Sequence, residues 1–171
     1  PEKIRITRSL RKSMRNKGYR VTFDTCFADV VDACAAPRTY TNGTWITHEM
    51  HTAYCLLHAR DIAHSIEVWN PAGELVGGLY GVVTGGVFNG ESMFSREADS
   101  SKMAMVAMAY HLQKWGFTVI DCQIANPHLL SMGAENIPRR DYLDLLQANL
   151  HKPPVRWEVD EAFDLSTWEP R

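Results

Sequence analysis

The chain has 171 residues, 45% hydrophobic and 22% charged, with a formal net charge of −2 and a mean hydropathy of −0.26. That size suits one domain, 1–171, which can bury about 70% of its unfolded surface without disulfide or metal staples. The longest weakly polar stretch, residues 75–88, is cut by five glycines and is too short to cross a bilayer, so no membrane partner is expected.

The start is basic and polar with no apolar signal region, so no secretory leader is expected either. Cys26, Cys34, Cys55 and Cys122 lie in apolar segments without a CxxC pair and read as reduced core thiols. Both features point to a cytoplasmic chain. Pro1 would follow equally from a processed natural start or from a fragment.

Charge is uneven along the chain. Residues 1–20 hold eight bases against Glu2 alone, a net of +7, so the other 151 residues sum to −9. Such a basic arm attracts polyanions, and tRNA or another nucleic acid is the natural candidate. The alternative is a solvated basic helix without a partner. Residues 158–171 form an acidic tail with Glu158, Asp160, Glu161, Asp164 and Glu169, which either balances charge or covers the basic arm.

In chain order, residues 9–17 predict a short basic helix stopped by Gly18, and 19–23 a strand. Asp24 or Thr25 caps a helix with Phe27, Val30, Val31 and Cys34 at helical spacing, ended by Pro37; 38–43 is a polar loop. Thr47 caps a third helix with Met50, Tyr54 and Leu57 on one face. Alternation over 64–69, a Pro-Gly turn at 70–73 and a return over 74–83 predict an antiparallel hairpin. The glycines of the second strand suggest bulges or close approach of a ligand. Residues 85–88 give a third strand and 90–95 a loop. Asp99 or Ser100 caps a long helix stopped by Gly116, 117–123 is a buried strand, and Pro138 opens a last helix to about residue 150. The class is α+β (mixed α/β), with a central, mostly antiparallel sheet flanked by helices.

Three fragments could carry chemistry. In Gly90-Glu91-Ser92-Met93-Phe94-Ser95 an acid sits just after a strand, where function often lies, although a solvated Glu91 explains it as well. In Ile120-Asp121-Cys122-Gln123, alternation sends Asp121 and Gln123 to one face. Asp121 could accept a proton, and Gln123 could hold an amine or an oxyanion. Met105, Met108 and Leu112 share a face of the long helix and suit an adaptable apolar pocket, or plain core. His48 and His51 fall one residue short of the HExxH spacing, so no metal is expected. Ser92 and Ser95 lack the GxSxG elbow of serine hydrolases.

Together the fragments are more specific. Gly43-Thr44-Trp45-Ile46-Thr47, residues 64–69, 74–81, Phe88 with 90–95, 120–123, Ser131-Met132-Gly133-Ala134 and Ile137-Pro138-Arg139-Arg140-Asp141 resemble, in order, the bacterial leucyl/phenylalanyl-tRNA–protein transferases. The resemblance runs over about residues 6–150. It implies a GNAT-like acyltransferase fold, here without an evident coenzyme A loop. The implied enzyme moves Leu, Phe or Met from aminoacyl-tRNA to proteins with N-terminal Arg or Lys, marking them for degradation, with no cofactor and no metal.

The resemblance also implies roles for residues. Asp121 and Gln123 match the pair that handles the attacking amine, and Glu91 the acid at the acceptor or aminoacyl site. Trp45, Leu79, Phe88, Gly90, Met93, Met105, Met108, Leu112 and Ile120 fall at substrate-binding positions. Arg8, Arg11, Lys12, Arg15 and Lys17 match a tRNA-binding cluster. The family normally has a smaller N-terminal domain with a Trp-Trp-Ser-Pro-type motif; this sequence starts after it, as expected either of a chain from which that domain was removed or of a short form. Two alternatives are a GNAT-type N-acetyltransferase and a non-catalytic module binding tRNA or protein N-termini.

Overall fold

Thr7 starts the first helix, α1 (Arg8–Asn16), by accepting the Leu10 N–H on its hydroxyl at 3.2 Å. The computed structural model describes residues 1–36 and 44–170, so the loop expected at 38–43 and the Pro37 stop lie outside the described residues. After α1 come β1 (Arg20–Phe23), α2 (Phe27–Ala35), α3 (His48–His58), β2 (Ala63–Trp69), β3 (Leu75–Thr84) and β4 (Val87–Ser95). The chain continues through α4 (Ser100–Lys114), β5 (Val119–Asp121), α5 (Pro127–Ser131) and α6 (Arg139–Asn149).

The strands lie in the order β1-β2-β3-β4-β5. All pairs are antiparallel except β4 with β5, which run parallel. This is the expected α+β class, a mostly antiparallel sheet flanked by helices. Each face carries its own apolar cluster. α1 and α4 cover one with Leu10, Met14, Met103, Met108 and Leu112, and α2 and α3 cover the other with Phe27, Val30, Val31 and Tyr54. α4 is buried on nearly every side, as befits a core helix.

The hairpin appears as expected. The Gly73 N–H donates to Asn70 O at 2.9 Å, and Gly73 takes φ +80°, a conformation costly for other residues. The glycines of β3 answer to the chain itself. A Cβ on Gly77 would lie 2.5 Å from Ser100 Cβ, and one on Gly78 would lie 2.7 Å from Ile66 O.

Several expectations are corrected. Residues 90–95 are not a loop; β4 runs on through them to Ser95. The strand expected over 117–123 is only Val119–Asp121, and it is half-buried. Asp24 does not cap α2. It takes φ +54° and binds the Ser65 N–H and His64, leaving Cys26 at the cap. Asp99 stands at the N-cap of α4, but its carboxylate accepts Ser13 Oγ and Lys102 Nζ instead of capping. The short α5, capped by Asn126, was not foreseen.

Residues 151–170 wrap back over the α4 face. Trp157 stacks on His64 at 4.1 Å, Leu165 is buried, and the His111 ring accepts the Asp160 N–H at 2.9 Å.

Candidate active site

The parallel pairing of β4 with β5 is three residues long: Val87 with Val119, Phe88 with Ile120, Asn89 with Asp121. β4 then continues while the other chain turns away, and the sheet splits. Gln123 makes the turn with φ +61°, helped by its N–H donating to Asp121 Oδ1 at 2.7 Å. This is an Asx-type turn, in which a short carboxylate holds the backbone two residues on.

Strand alternation therefore stops at Asp121, and Asp121 and Gln123 do not share a strand face as expected. Instead the Gln123 side chain bridges the split. Its Nε2 donates to Gly90 O at 3.0 Å, replacing the missing ladder bond, and to Glu91 Oε2 at 3.2 Å. Both amide protons are then used, and Oε1 is left to accept.

Glu91 is aimed by a β-bulge. Gly81 pairs with Gly90 and Tyr80 with Ser92, so Glu91 has no opposite residue on β3. The extra residue leaves the pleat and re-directs its side chain. The Tyr54 hydroxyl of α3 donates to Glu91 Oε2 at 2.9 Å. Burial first, then this carboxylate, pushes the Tyr54 pKa well up, so the hydroxyl stays a donor. Tyr54 stands edge-on to Tyr80 at 4.9 Å, and the buried Tyr80 hydroxyl has no hydrogen-bond partner among the described residues.

The split opens into a cavity of about 350 Å³. Of the residues expected to bind substrate, Trp45, Leu79, Phe88, Gly90, Met93, Met105, Met108 and Ile120 line this one cavity, together with Glu91 and Gln123. Leu112 is a correction: it is fully buried in the core and does not line the cavity. It shares the face of Met105 but lies seven residues on, roughly 10 Å along the helix axis. Asp121 is also absent from this cavity. It lines a larger groove, of about 680 Å³, on the other side of Gln123.

Tyr54, Tyr80, Cys122, Asn126 and Leu129 were missed by sequence reasoning. Tyr54 sat in plain view at a core-facing helix position, but nothing in its spacing distinguished a donor to Glu91 from a packed ring.

On α1, Arg8, Lys12 and Arg15 are exposed and lie at i, i+4 and i+7, a single stripe. Arg11 ion-pairs with Glu169 at 2.7 Å, and Lys17 Nζ donates to Ala98 O at 2.7 Å. The histidines stand away from the cavity lining. Asp24, His58 and His64 come close enough to share a metal. Their atoms are already engaged, however. Asp24 accepts from the Ser65 N–H and the His64 ring, and His58 Nδ1 contacts Ala63 O at 2.9 Å. The cluster reads as an internal tie. Among the described residues, no helix is long and apolar enough to cross a membrane.

The parallel edge pair of the mixed sheet thus splits over a cavity of mixed lining, with the Gln123 amide and the Glu91 carboxylate beside apolar side chains of β4 and α4. The chain belongs to the leucyl/phenylalanyl-tRNA protein transferase family, whose model matches residues 1–147. A leucyl/phenylalanyl-tRNA–protein transferase of Stutzerimonas stutzeri is 51% identical over 153 residues, covering 90% of this chain and 67% of that protein. One from Pseudomonas syringae pv. syringae is 53% identical over 90% of this chain and 66% of its own length. One from Aromatoleum aromaticum is 49% identical over 97% of this chain and 70% of its own. The chain thus spans about two thirds of the length of these relatives. A solved structure of AAC(6')-Iy with a bisubstrate analogue covers 90% of this chain at 11% identity and a TM-score of 0.42.

Proposed function

We propose that this chain transfers Leu, Phe or Met from aminoacyl-tRNA to the α-amine of proteins that begin with Arg or Lys, in the cytoplasm, and that the product is thereby marked for degradation. The observation that carries the reading is the Glu91–Gln123–Gly90 contact at the mouth of a methionine- and phenylalanine-lined cavity, in a chain about 50% identical to transferases of that name.

The donor ester is already activated, so the site must chiefly position and stabilise charge. The transferred side chain sits among Phe88, Met93, Met105, Met108 and Ile120 and is selected by volume. The acceptor's α-amine, with an ordinary pKa of about 7.7–8.0, is partly neutral near pH 7. Gln123 Oε1 accepts an N–H of that amine and turns its lone pair to the ester carbonyl. The C–N bond forms, the bond to the ribose oxygen breaks, and the amine's proton ends on the leaving hydroxyl.

Asp121 accepts the Gln123 backbone N–H and so positions the turn that presents the Gln123 side chain. The acceptor's cationic side chain meets Glu91 or Asp121. The stripe of Arg8, Lys12 and Arg15, with Arg11 and Lys17 behind it, takes tRNA phosphates.

The test is incubation of the chain with labelled Phe-tRNA and an Arg-ended peptide, beside labelled acetyl-CoA and the same peptide. Label on the peptide from Phe-tRNA alone is the expected result. Label from acetyl-CoA alone makes it an acetyltransferase, and tRNA binding without any transfer makes it a binding module.

A further inference from the structure

Phe88 lines the 350 Å³ cavity and is otherwise wholly enclosed, so what its ring rests on decides how far that wall can yield. On one side the ring lies over Gly81: a Cβ at Gly81 would lie 2.5 Å from Phe88 Cζ. The backbone there belongs to β3, which is paired on both edges, and it closes that side firmly. On another side stands Trp157, with ring centroids 5.7 Å apart and a tilt of 38°. Trp157 comes from the segment 151–170 that wraps over the α4 face, and it takes no part in the cavity lining.

Trp157 is itself held. Its ring is stacked on His64 at 4.1 Å with 7° between the planes, and it meets Trp115 edge-on at 5.0 Å. The His64 ring is fixed in turn, because its Nδ1 donates to Asp24 Oδ2 at 2.7 Å. The tie between Asp24 and His64 thus gives Trp157 a flat, fixed backing. Only 8% of Trp157 is exposed. Interiors are packed as densely as organic crystals, so a ring held in this way transmits its position to its neighbour. With β3 closing the other side, Phe88 recedes from a bulky guest by displacing Trp157.

We propose that Trp157 sets the depth of the cavity through Phe88, and with it the largest side chain that the site transfers. It is a positioning residue, because it touches Phe88 and not the guest. The inference rests on the transfer reading above for the identity of that guest. An apolar pocket separates guests that differ by one methylene by roughly 10- to 200-fold. A wall free to yield by a few atoms therefore shifts the balance between large and small guests by about tenfold.

The experiment measures kcat/KM for Leu-tRNA, Phe-tRNA and Trp-tRNA with an Arg-ended peptide at saturation, in wild type, Trp157→Phe and Trp157→Leu. In parallel it measures the Kd of non-hydrolysable aminoacyl-adenosine amides carrying Leu, Phe or Trp. The ratio of large to small guest does not depend on how much of a variant is folded, so lost stability alone leaves it unmoved. In Trp157→Leu the preference for Trp over Leu should rise about tenfold in both measurements, and in Trp157→Phe by less. Phe163→Leu loosens the same segment where it packs on Tyr110 and His111, and should leave the ratio at its wild-type value. An unchanged Kd ratio in folded Trp157→Phe, or no binding of the amides at all, overturns the proposal. So does an equal change in Phe163→Leu, which would trace the ratio to general loosening. If no aminoacyl-tRNA serves as donor yet the Kd ratio shifts as expected, the transfer reading fails and the wall stands.

Discussion

Two acids of the same sheet, Glu67 and Glu91, make opposite use of one residue type. Glu67 lies on β2 and is wholly buried. Its carboxylate accepts Thr22 Oγ1 at 2.6 Å and Ser65 Oγ at 2.5 Å, with the Thr25 N–H at 3.4 Å. The chain's own donors occupy it on every side. Glu91 lies on β4, is half-exposed, and is met by Tyr54 and Gln123 on one oxygen, Oε2. Glu67 stays in the regular pairing, opposite Thr22 and Gly78, while Glu91 is the unpaired residue of a bulge. Glu67 is saturated by the fold's own donors, whereas Glu91 is held through one oxygen, as its proposed role at the acceptor or aminoacyl site requires.

The largest effect expected from this contrast is at the bridge that serves Glu91. Gln123→Ala removes the acceptor for the amine and should lower the transfer rate roughly 100-fold, by analogy with loss of one preorganised polar contact to a reacting centre. Single-turnover kinetics with saturating Phe-tRNA measure it. Glu91→Gln keeps the shape and hydrogen bonding but removes the charge. The KM for Arg-ended acceptors should rise about tenfold, with the KM for Phe-tRNA unchanged.

Tyr54→Phe releases Glu91 from its hydroxyl anchor and should reduce kcat/KM about three- to tenfold while leaving the melting temperature nearly unmoved. At the closed end, Glu67→Ala strands buried hydroxyls and should cost about 1–3 kcal/mol of stability in urea unfolding, with transfer per folded molecule unchanged.

The pH dependence sharpens the same contrast. Burial is the largest influence on Glu67 and raises its pKa above the ordinary 4.5, against the hydrogen bonds from Ser65 and Thr22. The native state therefore holds that proton more tightly than the unfolded chain. Its contribution to stability is fully present below pH 4.5 and is lost as the pH rises through the raised value. Glu67→Gln cannot titrate, so its stability relative to wild type should grow between pH 4 and pH 8, as urea midpoints would show.

The contrast also measures what the sequence could reveal. Local signals were legible: Thr47 accepts the Met50 N–H as a cap should, Gly116 stops α4 at φ +75°, and residues 70–73 turn the hairpin. Motif order grouped residues that the fold brings to one cavity, save Leu112. What was not legible depends on partners distant in sequence. The bulge at Glu91 exists only because of how β4 pairs with β3, and pairing also carries residues 90–95 on as strand. The Gln123 turn depends on one Asx bond and a backbone conformation that alternation cannot report. Tyr54 reaches Glu91 across 37 positions, and nothing local marks it. In Asp121 the sequence correctly flagged a polar strand end, but only the fold turns that carboxylate to the groove and away from the cavity.

The most direct measurement pairs the two acids' surroundings in one experiment: single-turnover transfer of Phe to an Arg-ended peptide and urea unfolding, each on wild type, Gln123→Ala and Glu67→Ala. Gln123→Ala should keep wild-type stability within about 1 kcal/mol and lose roughly 100-fold in rate. Glu67→Ala should lose stability and keep its rate per folded molecule. A Gln123→Ala chain that transfers Phe at the wild-type rate would contradict the proposed role of Gln123.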